Sequence, residues 1–91
     1  MKSLVNVDGR GRLCVPSVFT RRLGLRAGHM AHIYDEGNTL KISKNYYSTK
    51  KCLATYMVDR DDNIRISPRI INNAVQATVS KDYNAITIQP R

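Results

Sequence analysis

The chain has 91 residues, of which 42% are hydrophobic, so it suits one small domain with an ordinary core rather than a disordered polypeptide. No apolar run approaches the length of a membrane span, and charged residues and glycines interrupt any secretory segment near the N-terminus, which predicts a cytoplasmic protein with no membrane partner. Fifteen Lys and Arg residues against seven Asp and Glu give a net charge of +8, which indicates an anionic partner, with nucleic acid the leading candidate.

The positive charge is unevenly divided along the chain. Residues 1–50 carry a net charge of +6, whereas residues 51–91 carry +2. A lopsided field of this kind favours contact between the N-terminal half and the anionic partner.

The first half of the chain predicts two strands, a short helix and a hairpin. Alternation of apolar and polar residues favours the strands, and the spacing from Val18 to Leu23 favours a helix with one buried face that ends at Gly24. In chain order, the elements are strands at 3–8 and 12–15, a helix opened by Pro16 and Ser17, and strands at 30–35 and 39–43.

The second half predicts the same series of elements. Ser67 is a typical N-cap, and Pro68 suits the first helical position, so a short helix is expected over the letters RIINNA. The strands are expected near 54–59 and 63–66 before that helix, and at 75–80 and 84–89 after it.

The two halves repeat each other with a five-residue deletion around residues 23–28. An offset of 51, and further on an offset of 46, brings apolar residues onto apolar residues. The matched pairs are Val7 with Val58, Leu13 with Ile64, Val15 with Ile66, Phe19 with Ile70, Ala31 with Ala77, Ile33 with Val79, Leu40 with Ile86 and Ile42 with Ile88. The predicted units are residues 1–44 and 53–91, joined by a linker at 45–52. Since a lone hairpin and a two-turn helix are each marginal in water, the units are expected to share one core.

The order of motifs in the first unit resembles the SpoVT-AbrB family of swapped-hairpin DNA-binding proteins, in a tandem-copy form. The resemblance covers about 40 residues well and, through the repeat, most of the remainder weakly. The motifs that carry it are Val7-Asp8, Gly11-Arg12, Pro16, Arg21-Arg22, Leu23-Gly24-Leu25 and Ala27-Gly28. This resemblance implies a mainly β fold with short helices: an AbrB-like swapped-hairpin β-barrel built from two β-β-α-β-β pseudo-repeats.

The same resemblance implies a transcriptional regulator that binds double-stranded DNA through loop and helix arginines and works as a homodimer. Successive helical residues point about 100° apart, which favours Arg21 over Arg22 as a contact. The second unit has Asp61, Asp62 and Asn63 where the first has Arg10, Gly11 and Arg12, which argues against DNA contact by its loop and for a solvated or repulsive surface there. The candidate DNA-binding residues are Arg10, Arg12, Arg21, Arg22, Lys2 and Arg26.

Other functions have weaker support in the sequence. No Ser-His-Asp set, carboxylate pair or phosphate-binding loop appears, so neither an enzyme, a cofactor nor a small-molecule substrate is predicted. His29 and His32 fall on opposite faces of a strand, so no metal site is predicted. A protein-interaction module, viral or toxin–antitoxin-like, that inhibits a host protein is one alternative. Tyr46 and Tyr47 among lysines suggest another, a single-stranded nucleic-acid binder, unless the linker packs on the domain.

Overall fold

The alternating segments form eight strands and one helix in a computed structural model that describes all residues from 1 to 91, so the prediction of a mainly β fold is confirmed. The strands are short, and most lie within two residues of their predicted bounds. In chain order the elements are β1 (Lys2–Asn6), β2 (Leu13–Val15), α1 (Ser17–Arg22), β3 (Met30–Asp35), β4 (Leu40–Ser43), β5 (Cys52–Met57), β6 (Ile64–Ile66), β7 (Gln76–Lys81) and β8 (Ile86–Pro90).

The strands form two antiparallel sheets in which the halves of the chain interleave. The larger sheet has the order β1-β7-β8-β4-β3-β5, and β2 pairs with β6 in a separate two-stranded ribbon. The pairs β1–β7, β3–β5, β4–β8 and β2–β6 each join a strand of the first half to a strand of the second. Each half therefore depends on the other for backbone hydrogen bonds that it cannot make itself.

One hydrophobic core joins the ribbon, α1 and the six-stranded sheet. The ribbon contributes four side chains without solvent exposure, α1 and the residues after it contribute Phe19, Leu23 and Leu25, and β3, β4, β7 and β8 contribute their inward alternate residues. Burial of these side chains is the main stabilising contribution to a fold of this size. The buried ribbon and sheet residues are Leu13, Val15, Ile64, Ile66, Ala31, Ile33, Leu40, Ile42, Ala77, Val79, Ile86 and Ile88.

The prediction of a closed barrel was wrong. β1 and β5 are the two outer strands of the larger sheet and do not pair with each other. After β1, the backbone N–H of Val7 still donates to Val75 (3.1 Å), but Asp8 then closes a tight loop with Arg12 (2.9 Å) that redirects the chain. The next strand therefore pairs with β6 and leaves the edge of the sheet open.

The second predicted helix was also wrong. Residues 68–73 form successive turns with backbone bonds from Ile70 to Ser67 and from Ala74 to Ile71, and they include Asn72 and Asn73 with positive φ. A left-handed conformation at two consecutive residues ends any right-handed helix, and asparagine tolerates it better than most residues. The one helix, α1, has six residues, so no helix in the structure has the length and apolarity to cross a membrane.

Loss of a ribbon side chain should destabilise the whole domain, because the ribbon covers the core. Ile66 has no solvent exposure and lies opposite Leu13 in the ribbon. We expect Ile66→Ala to lower the free energy of unfolding by about 2–5 kcal/mol in urea denaturation. Val75→Ala, at a residue that is 69% exposed, is the control and should change it by roughly 0.5 kcal/mol or less. Equal losses in both variants would contradict the placement of the core.

Candidate nucleic-acid interface

The loop between β1 and β2 is built around the carboxylate of Asp8. Its Oδ1 accepts the backbone N–H groups of Arg10 (2.8 Å) and Arg12 (3.0 Å), and its carbonyl accepts the N–H of Gly11 (3.0 Å). Gly11 has φ +77°, and a Cβ there would lie 3.2 Å from the ring of Pro68, so both the backbone conformation and the close contact favour glycine at this position. The loop therefore presents Arg10 and Arg12 on a rigid backbone.

The loop between β5 and β6 repeats this geometry in the second half. Oδ1 of Asp59 accepts the backbone N–H groups of Asp61 (2.9 Å) and Asn63 (3.0 Å), and its carbonyl accepts the N–H of Asp62 (2.9 Å). Asp62 has φ +62° and takes the place of Gly11. The two loops therefore share one backbone design and differ in the side chains they carry.

Hydrogen bonds keep both loop carboxylates ionised. The backbone N–H of Arg12 is the main cause that lowers the pKa of Asp8, and the N–H of Asn63 is the main cause that lowers the pKa of Asp59. Partial desolvation raises each pKa and is outweighed. Both carboxylates are thus anions at neutral pH and can orient nearby guanidinium groups.

Each of the two loop aspartates also makes an ion pair with an arginine, Asp8 with one in its own loop and Asp59 with one on β6. Nε of Arg12 lies 3.3 Å from Oδ2 of Asp8, and Nε of Arg65 lies 3.2 Å from Oδ2 of Asp59. Cys14 faces Arg65 across the ribbon, and burial is the main cause that raises the pKa of its thiol. Arg65 is absent from the sequence-based candidates. Its position between two inward isoleucines was the available signal, because alternation in a strand turns the middle residue outward.

The helix arginines are partly occupied by contacts within the chain. Nε of Arg21 donates to Oδ2 of Asp62 (2.8 Å), and Nη1 of Arg26 donates to the carbonyls of Arg21 (3.0 Å) and Leu25 (2.9 Å). Arg26 therefore satisfies backbone carbonyls at the C-terminus of α1, where a positive charge is also favourable. Arg22 is exposed, and the structure gives its side chain no hydrogen bond or ion pair.

The remaining two candidates lie apart from each other. Arg10 is exposed at the tip of the first loop, and its side chain has no partner. Lys2 lies on β1 at the edge of the six-stranded sheet, opposite Ser80 of β7. Five of the six candidates thus belong to the first loop, α1 and the segment after α1, whereas Lys2 belongs to the sheet.

Arginine and lysine are concentrated in different segments of the chain. We call residues 7–29 and 58–75, which hold the ribbon, its loops, α1 and the turns before β7, the arginine layer. It contains eight of the nine arginines, no lysine and four aspartates, for a net charge of +4. All six lysines lie on the six-stranded sheet or on the segment between β4 and β5.

The linker tyrosines pack against the six-stranded sheet. The ring of Tyr46 lies 5.6 Å from that of His32, and the ring of Tyr47 lies 5.7 Å from that of Tyr34. The hydroxyl of Tyr34 also accepts the backbone N–H of Tyr47 (2.7 Å). These contacts fix the path of the linker across β3.

Both histidines are engaged in local hydrogen bonds. Nδ1 of His29 accepts the backbone N–H of Arg26 (3.0 Å), and Nδ1 of His32 lies 2.9 Å from the hydroxyl of Thr55. No group of three or more His, Cys, Asp and Glu side chains gathers in a way that suits a metal ion.

Comparison with known proteins found no matching family, no matching curated protein and no matching solved structure. The resemblance to the SpoVT-AbrB family therefore rests on the order of motifs in the sequence.

The loop carboxylates should make stability depend on acid pH. Because the pKa of Asp59 is lower in the folded state than its usual value of about 3.9, its stabilising effect is present above that value and is lost as the pH falls through the folded value. We expect Asp59→Asn to unfold more easily than the original chain at pH 7 and to lose less stability between about pH 5 and pH 2. Urea midpoints across that range measure both effects.

Asp61→Asn is the matched control, since it removes the same charge from the same loop and the structure gives the Asp61 carboxylate no partner. Its pH profile should follow that of the original chain. A profile of Asp59→Asn that also follows the original chain would contradict the structural role of the Asp59 carboxylate.

Proposed function

We propose that this chain is a cytoplasmic, non-enzymatic regulator of transcription that binds double-stranded DNA through the arginine layer. The observation that carries the proposal is the concentration of eight of the nine arginines in the arginine layer, whose net charge is +4. The planar guanidinium group binds phosphate in a bidentate manner, which the compact ammonium group of lysine does not reproduce, and it also contacts guanine edges. A layer that uses arginine alone therefore fits a surface for directed contacts with DNA.

The candidate arginines divide into two groups by their surroundings. Arg12 and Arg65 are held through Nε by aspartates, which leaves the Nη groups of each guanidinium for a ligand. Arg10 and Arg22 have no partner in the chain and extend into solvent. The oriented arginines suit contacts that set the register, while the free ones suit phosphate contacts that supply affinity.

We also infer that the fold is a tandem SpoVT-AbrB-like arrangement in which two degenerate copies exchange hairpins. Two observations support this. The repeat counterparts are β1 and β5, β2 and β6, β3 and β7, and β4 and β8. If each strand in the sheet order β1-β7-β8-β4-β3-β5 is replaced by its counterpart, the result is the same order read from the opposite end. Asp8 and Asp59 also close their loops with the same pattern of hydrogen bonds.

Homodimerisation is a further part of the proposal. Each chain makes all the strand pairs of its own sheet, so the fold itself does not need a second chain. Recognition of a palindromic DNA site, however, needs two chains. The outer strands are open to a partner, and they carry exposed apolar side chains at Leu4 on β1 and Met57 on β5. Open strand edges of this kind pair readily with another chain.

A groove on the six-stranded sheet supports a second candidate function, binding of single-stranded nucleic acid. Its volume is about 440 Å³, and its lining includes Tyr47 and the highly exposed Tyr83. Bases stack on such rings. However, Glu36 and Asp82 offset the two lysines in the lining, so the groove has no net charge to attract a phosphate backbone. Duplex binding by the arginine layer remains the better supported function, and inhibition of a host protein has no feature of its own in its favour.

A salt titration tests the duplex proposal. Binding of a short duplex, measured by fluorescence anisotropy, should weaken steeply with salt, by about 0.9 log units per log unit of salt for each phosphate neutralised. We expect Arg12→Ala to weaken binding more than Arg65→Ala, because Arg12 adjoins Arg10 and two glycines whereas Arg65 follows a loop with two further aspartates.

Lys41→Ala provides the control, since Lys41 lies on the sheet and contacts Asp82 and Thr87. It should leave the salt slope unchanged. Absence of duplex binding at low salt, or tighter binding of a single strand, would overturn the proposal. Equal losses from Arg12→Ala and Arg65→Ala would instead leave it standing and show that both loops contribute equally.

The molecular mass in solution tests the dimer. Light scattering at several concentrations, with and without a palindromic duplex, should give two chains per complex. Met57→Lys introduces a charge at an outer strand and should shift the protein toward the monomer, as charged edge residues do in other sheets. A single chain per duplex at saturating protein concentration would contradict the dimer.

A further inference from the structure

The carboxylate of Asp62 is held by two donors from a distant part of the chain. Oδ2 accepts Nε–H of Arg21 (2.8 Å), and Oδ1 accepts the backbone N–H of Ala27 (2.7 Å). These donors lie 41 and 35 residues away, in the first half of the chain. The side chain of Asp62 is only 16% exposed, whereas that of Arg21 is 53% exposed, so the carboxylate fills the inner part of a site whose arginine reaches solvent.

The donors around this carboxylate are those that bind phosphate oxygens in protein–DNA complexes. A guanidinium N–H and a backbone N–H converge on one anion, and each carboxylate oxygen is taken by one of them. Arg26 adds a second positive charge beside the site, because its guanidinium is fixed on the carbonyls of Arg21 and Leu25. The hydrogen bond from Arg21 is the main cause that lowers the pKa of Asp62.

The backbone of the second loop does not require an aspartate at this place. Asp62 has φ +62°, in the left-handed region that favours glycine, and Gly11 occupies the matching place in the first loop with φ +77°. Asp62 therefore occupies a position that glycine would hold with less backbone strain. What it adds to the loop is its carboxylate, which reaches Arg21 and Ala27.

We propose that Arg21 and the N–H of Ala27 form an anion site for a DNA phosphate, and that Asp62 occupies this site as an internal competitor. The inference rests on the proposed function, because the phosphate belongs to the duplex bound by the arginine layer. While the carboxylate holds both donors, a phosphodiester oxygen cannot bind them, so the complex of the original chain lacks this one phosphate contact. This occupancy weakens the contribution of the helix to binding relative to that of the first loop.

The test compares Asp62→Asn with Asp61→Asn. Both remove one negative charge from the same loop, but only the first removes the competitor, and asparagine tolerates positive φ. We expect Asp62→Asn to bind a duplex about three- to fivefold tighter near 0.1 M salt, which corresponds to release of one exposed ion pair. Its salt slope should be steeper by about 0.9, while that of Asp61→Asn stays unchanged. Arg21→Ala placed in the Asp62→Asn background should abolish the gain.

Asp62→Gly is the second variant, since glycine suits the backbone there and matches Gly11. It also allows a readout without DNA. On addition of inorganic phosphate, the amide resonance of Ala27 should shift in Asp62→Gly and remain fixed in Asp61→Gly. Thermal melts show whether each variant is folded before it is used.

Each outcome separates the anion site from the proposed function. Equal gains in Asp62→Asn and Asp61→Asn would show general repulsion and overturn the site while duplex binding stands. A folded Asp62→Gly whose Ala27 resonance ignores phosphate would also overturn it. If the Ala27 resonance shifts but no variant binds duplex at low salt, the anion site stands and the proposed function falls.

Discussion

The structure depends on hydrogen bonds that one half of the chain makes to the other. β1 and β7, β2 and β6, β3 and β5, and β4 and β8 all pair across the halves. Within one half, only hairpin contacts such as those between β3 and β4 remain, and an isolated hairpin is marginal in water. Interleaving therefore supplies both the backbone partners and the apolar cover, so the hydrophobic core forms only when both halves are present.

This dependence explains which features the two halves share and which they do not. Inward residues must stay apolar in both halves. The matched positions of the repeat, Leu13 with Ile64 and Val15 with Ile66, are all buried and follow that constraint. Asp8 and Asp59 must both close their loops, because the chain has to leave the sheet edge and enter the ribbon. The loop tips are not bound by the need for apolar residues or for loop closure. Arg10 in one tip and Asp61 in the other are therefore compatible with the same fold.

Sequence patterns predicted the strands and the core well, because alternation reports which face of a strand is buried. They failed where the structure is determined by a long-range contact or by a left-handed backbone conformation. Asn72 and Asn73 end a helix that Ser67 and Pro68 favour locally, and the open edge of β1 depends on a loop whose direction no pattern encodes. For the candidate site, the sequence indicates which arginines lie in the first loop and around α1, and their role in binding stays a prediction. The contact of Arg21 with Asp62 joins residues 41 apart and has no local signal in the sequence.

The aspartates of the arginine layer change what its charge can do. In the net charge of the layer, each aspartate cancels one arginine and so reduces the attraction for an anion. Asp8 and Asp59, however, also hold Arg12 and Arg65 in fixed orientations. A flexible arginine loses side-chain entropy when it binds, and an oriented one has already lost part of it during folding. In the proposed complex, the paired arginines on the ribbon thus give contacts of defined geometry, whereas Arg10 and Arg22 give attraction with a larger entropic cost. The layer thus combines arginines oriented by ion pairs with unpaired ones, which suits the contact with DNA proposed above.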